Sequence, residues 1–157
     1  MAVRDHTGIV PPQQSGGDIT LTAAVELKHA EDAKRFYCVA KQRLLDVNNW
    51  HHIAGATSAK FQLVDAGGKE VQRLAQKGDY FKIDIPGPGS KAGDGYDWVK
   101  VEELTETDNL DVQSTGLRVR PTGNPFSSSD ETAHFYSVNA TSNFIVTRES
   151  NINNALI

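Results

Sequence analysis

The sequence predicts an α+β fold, a curved antiparallel β-sheet packed on one principal helix. Three observations carry this. An early segment alternates apolar and polar residues, a longer stretch then repeats at helical period, and the rest returns to short alternating segments broken by glycine-rich turns. Each strand has one apolar face to bury, so a β-barrel or a β-sandwich with one helix is the alternative. With 157 residues, 38% of them hydrophobic and 23% charged, the chain makes one domain of ordinary size that can bury a core.

Residues 1–18 (MAVRDHTGIVPPQQSGGD) have no periodicity. Pro11-Pro12 favours an extended segment and Ser15-Gly16-Gly17 a hinge, so they read as an extended N-terminal arm ahead of a single domain over 19–157. The first strand covers 19–28, with Ile19, Leu21, Ala23, Val25 and Leu27 on one face. The period then changes. Ala33, Phe36, Tyr37, Ala40, Leu44 and Val47 form one helical stripe, with Glu31 and Asp32 at its start and Lys41 and Arg43 toward its end, in the order that suits the helix dipole. Asn48-Asn49 ends the helix, and Cys38 is expected to be a small half-buried residue beside the stripe.

Strands follow. Phe61 and Leu63 share a face, Asp65 to Lys69 makes a hairpin-like turn, and Val71 to Leu74 is the expected return strand. Gly78-Asp79 turns the chain into Phe81, Ile83 and Ile85, which alternate with Lys82 and Asp84. After the glycine-rich loop 86–95, Tyr96 to Leu104 puts Val99 and Val101 on one face and Trp98 on the other. Residues 105–116 are polar and ambiguous, Leu117 and Val119 share a short strand, and 132–138 and 143–148 close the sheet. The last nine residues have no pattern.

Composition excludes several function classes. Sixteen Lys and Arg against twenty Asp and Glu leave a net charge of −4, and Arg118 with Arg120 is too small a patch for nucleic acid. No apolar run is long enough for a membrane span, and no secretory signal opens the chain, so a cytoplasmic location is expected. One cysteine excludes a disulfide framework and a cysteine-rich zinc site.

The chemical motifs are weak. Gly87-Pro88-Gly89-Ser90-Lys91-Ala92-Gly93 matches no phosphate-binding loop and leads into a strand rather than a helix. His51, His52 and His134 would have to converge from separate elements to hold a metal. The acids from Asp94 to Asp111 lack the order of a calcium loop. Asp84 and Asp97 flank the glycine-rich loop and could face one another, but both read as solvent-facing positions on a one-sided sheet. No cofactor and no metal are implied. A hydrolase or cyclase using His134 or Asp97 as base ranks last, since no nucleophile–base pair is readable.

The first 65 residues carry a family resemblance. A strand leads into a helix ending Leu45-Asp46-Val47-Asn48-Asn49-Trp50, and His51-His52-Ile53-Ala54-Gly55 leads into the strand with Phe61 and Leu63. This resembles the START-like (helix-grip, SRPBCC) domains, and the resemblance implies a curved sheet enclosing an apolar cavity. The family's long C-terminal helix has no counterpart in Glu149 to Ile157, and loop 86–95 is longer than a usual hairpin connection.

Aromatic residues point to the same kind of function. Tyr80 and Phe81 must project to opposite strand faces, so aromatics are expected on both. The leading expectation is a non-catalytic domain holding a small apolar or amphipathic ligand between sheet and helix, with Trp50, Phe61, Tyr96 and Trp98 as cavity residues. The alternative is a self-assembling interaction protein that uses its sheet edges and the N-terminal arm.

Overall fold

The computed structural model describes residues 21–51, 59–85, 95–126 and 140–157. The expectations for the arm 1–18, for most of the glycine-rich loop, for the strand 132–138, and for His52 and His134 lie outside them. The elements in chain order are β1 (Thr22–Glu26), α1 (Ala30–Leu45), a 3-10 turn (Val47–Asn49), β2 (Lys60–Val64), β3 (Tyr80–Asp84), β4 (Asp97–Asp108), β5 (Val112–Thr122), β6 (Ser142–Glu149) and β7 (Ile152–Leu156). The strands form one seven-stranded sheet in the order β1-β7-β6-β5-β4-β3-β2. The fold is α+β, one main helix on an antiparallel sheet, and among the described residues that sheet stays open rather than closing into the barrel of the alternative expectation. The chain divides into two compact units, the first of residues 1–44, 103–118 and 142–157 and the second of 45–102 and 119–141.

In the first unit, α1 begins three residues ahead of the expected stripe, with Glu31 and Asp32 in its first turn and Arg43 in its last. Glu31 pairs with Lys34, and Asp32 with Arg35, along its exposed side. Its buried side is narrower than the sequence suggests. Ala33 and Tyr37 leave solvent, whereas Phe36 and Val39 stay 43% and 48% exposed. Cys38 is exposed, which corrects the half-buried reading, because it lies on the side of the helix turned away from Ala33 and Tyr37.

The buried side meets polar partners. The Tyr37 hydroxyl lies 2.6 Å from Thr115 Oγ1, Asn153 Nδ2 donates to the Ala33 carbonyl at 3.2 Å, and Ser114 and Thr147 share a hydroxyl bond at 3.0 Å. Residues 105–116, ambiguous in sequence, are the end of β4 and the start of β5, joined through a turn that Asn109 N closes on Val112 O at 2.9 Å. The C-terminal residues are likewise a strand. Ser150, at φ 55, turns β6 back into β7, and Arg148 fastens the turn. The buried Arg148 guanidinium donates to Gln113 Oε1, Ser150 O and Leu110 O at 2.7, 2.8 and 2.9 Å, so it ties two hairpin turns together without a carboxylate.

The second unit has an apolar core of Leu45, Val47, Leu63, Val64, Phe81, Trp98, Val101 and Val119. Helix α1 stops at Leu45 because Asp46 leaves helical geometry (φ −88, ψ 65), and Val47 is buried from the 3-10 turn rather than from the helix. The expected turn at Asp65 to Lys69 is present. The Asp65 carboxylate accepts the N–H groups of Gly67 and Lys69 at 2.9 Å each, and Gly68 takes φ 93 against the Phe126 ring, which a Cβ would approach to 3.1 Å. The expected return strand at Val71 to Leu74 is not a strand. Pairing stops after the single bridge Glu70–Val64, and Arg73 turns to hold Asp79 through two bonds at 2.7 and 2.9 Å. Asp79, nearly fully buried, also accepts Gln76 N and so closes the turn expected at Gly78-Asp79.

Candidate functional site

The strand register of the second unit fixes which side chains share a face. β2 pairs antiparallel with β3 (Phe61 with Ile83, Gln62 with Lys82), and β3 with β4 (Lys82 with Trp98, Ile83 with Asp97). Directly paired residues project to the same side. Phe61, Leu63, Phe81, Ile83 and Asp97 therefore share one face, and Lys60, Gln62, Lys82, Asp84 and Trp98 share the other.

The four expected cavity residues divide between these faces. Trp50, just after the 3-10 turn, sets its ring edge-on to Phe61 at 5.0 Å and to Phe81 at 5.8 Å. Trp98 lies on the opposite face, 6% exposed, edge-on to Phe126 at 5.9 Å, with Phe126 edge-on to Tyr80 at 5.4 Å. Tyr96, immediately before β4, lies beneath Lys82 Nζ, 4.2 Å from its ring centroid.

Two of the four, Phe61 and Tyr96, line a groove of about 490 Å³ beside β2. Its charged walls were not legible as a site. Lys60 and Asp84 pair directly across β2 and β3, and Lys82 Nζ approaches Glu70 Oε1 at 3.6 Å. In sequence they are the polar half of an alternation, which reads as an ordinary solvent face; only the tertiary pairing gathers them into one groove with Tyr96 and Phe61. Asn48 and His51 complete one end, and Asn48 is anchored, its side chain accepting Leu63 N at 2.7 Å and donating to Val71 O at 2.8 Å.

The possible carboxylate pair is not formed. Asp97 is opposite Ile83, so Asp84 projects to the other face. Asp97 also departs from the solvent-facing expectation. Its Oδ1 is buried with no hydrogen-bond partner among the described residues, and burial pushes its pKa above the ordinary value. Arg120 of the small basic patch is neutralised by Glu102, whose hydrogen bond raises the guanidinium pKa. Among the described residues no group of three or more His, Cys, Asp or Glu could hold a metal ion, and no helix is long and apolar enough to cross a membrane. No family model, curated protein or solved structure matches the chain.

Proposed function

We propose that this chain is a non-catalytic binding domain for a small amphipathic molecule, and that the molecule lies in the groove beside β2. The carrying observation is the composition of that groove: Tyr96 lies beneath Lys82, Phe61 of the opposite strand face also lines it, and its two lysines and two carboxylates balance in charge. The rings offer flat apolar area to a hydrocarbon or ring. The balanced walls suit a neutral or zwitterionic head better than a strongly charged one, since a net charge would meet its like at short range. The volume falls within the usual range for small-molecule sites. The START-like resemblance of the first 65 residues points to the same class of function, with an amphipathic rather than wholly apolar ligand.

Isothermal titration calorimetry with a zwitterionic short-chain lipid, held below micelle formation, tests this. Binding is expected to weaken about tenfold on Tyr96→Ala, which removes stacking area worth about 1.4 kcal/mol. Lys82→Gln should weaken it to a similar extent. No binding by the unaltered chain, or affinities that neither substitution moves, would refute the assignment.

A further inference from the structure

A second uncovered surface lies wholly in the first unit and is independent of the groove. β1 is exposed along its length, and Leu21 and Val25 remain 63% and 40% exposed. These residues and the exposed Phe36 of α1 look onto one patch. Val25 pairs with Asn153, so both project to the same face, and Asn153 reaches the Ala33 carbonyl, so that face is the one carrying α1. Leu21 shares it by alternation. On α1, Lys41 Nζ pairs with Glu106 of β4 at 2.8 Å, which turns that flank toward β4. Phe36 is roughly 140° around the helix from Lys41 and adjoins the buried Ala33, so it occupies the flank toward β7 and β1 in the sheet order.

Among the described residues the edge of β1 is as open as its face. Leu21 and Ile157 exchange both backbone bonds, at 3.0 and 2.9 Å. Alternation along the ladder then turns the N–H and C=O of Thr22, Ala24 and Glu26 outward, away from β7. The strand sequence TAAVE contains no proline and no lysine, the usual guards of a free edge. The edge strand β2 is guarded: Val71 N donates to Leu63 O at 3.0 Å, and Asn48 takes Leu63 N.

We propose that β1 is a self-association surface, and that a second copy pairs with it antiparallel about a two-fold axis through Ala24. This register is self-complementary. Thr22 lies opposite Glu26, Ala24 opposite Ala24, and no like charges meet. Every outward N–H and C=O of Thr22, Ala24 and Glu26 then has a partner, and the two apolar patches fall side by side on one face.

Sedimentation equilibrium of the full chain is expected to give the mass of two chains. Ala24→Pro removes an outward N–H at an edge position that tolerates proline, and should give the mass of one chain with an unchanged far-UV circular dichroism spectrum. Should that variant not fold, Val25→Lys tests the same contact by placing a charge on the patch, with the dimer weakened at least about tenfold. In a Cys38→Ser background, Ala24→Cys should oxidise to a disulfide-linked dimer, since directly paired strand residues lie within disulfide reach. Thr22→Cys, paired with Glu26, should not. A single-chain mass at the highest workable concentration would overturn the proposal, leaving the edge to some other partner. A dimer untouched by both Ala24→Pro and Val25→Lys would overturn it equally.

Discussion

In the first unit, Ser114, Thr115, Thr147 and Arg148 leave solvent alongside Leu117 and Ile145; in the second, the fully buried side chains are Val47, Leu63, Val64, Phe81 and Val101. The first interior depends on hydrogen bonds being made, and a buried polar group without its partner is costly. The second depends on filled volume, and apolar shapes can be exchanged if the volume is kept. The two units are thus held by forces that respond differently to substitution.

The largest effect is expected at Arg148. Arg148→Met keeps much of the volume but leaves Gln113, Ser150 O and Leu110 O without their donor, and should cost about 3 kcal/mol or more in urea unfolding. Leu63→Met, fully buried in the second unit, should cost less than about 1.5 kcal/mol. Equal costs would break the contrast. A smaller loss is expected for Tyr37→Phe, which deletes only the hydroxyl bonded to Thr115 and should cost about 1–2 kcal/mol. Burial raises the Tyr37 pKa, so its phenolate should appear in an alkaline ultraviolet titration only above the ordinary tyrosine range.

The smallest effect tests a polar group of the second unit that, unlike Asp79, has a buried oxygen without a hydrogen-bond partner among the described residues. The Asp97 carboxyl has a folded-state pKa raised above 3.8 by burial. Its favourable contribution is therefore fully present below the unfolded value and is lost as pH rises through the folded one. Above the folded value the charged carboxylate is disfavoured by its burial and opposes folding. Asp97→Asn should add about 1 kcal/mol at pH 7 and progressively less on acidification toward 3.8. A gain that does not change with pH would show that ionisation is not the cause.

Period-two alternation located β2, β3 and most of β4, and helical period located α1, because in those segments apolar residues coincide with buried positions. The same logic missed β7. In INNAL the central Asn153 and Asn154 are both buried, and hydropathy cannot mark a strand whose buried positions are polar. It also put Phe36 in the buried stripe, since an aromatic residue at the right spacing looks the same whether or not a strand lies beneath it. At the candidate site, Phe61 and Tyr96 were legible as aromatics, but Lys60, Glu70, Lys82 and Asp84 were not, because charges on alternating positions resemble any solvent face.

By itself the sequence determined the fold class, the helix, most strands, and the turns at Asp65 and Gly78. These follow from local periodicity and turn chemistry, which are short-range properties of the chain. Tertiary structure alone decided that Trp98 and Phe61 lie on opposite faces, that lysines and carboxylates gather into one groove with Tyr96 and Phe61, that Arg148 joins two hairpins, and that among the described residues β1 stands open. Strand register and strand order bring together residues far apart in sequence, and neither is encoded in the pattern of any one segment.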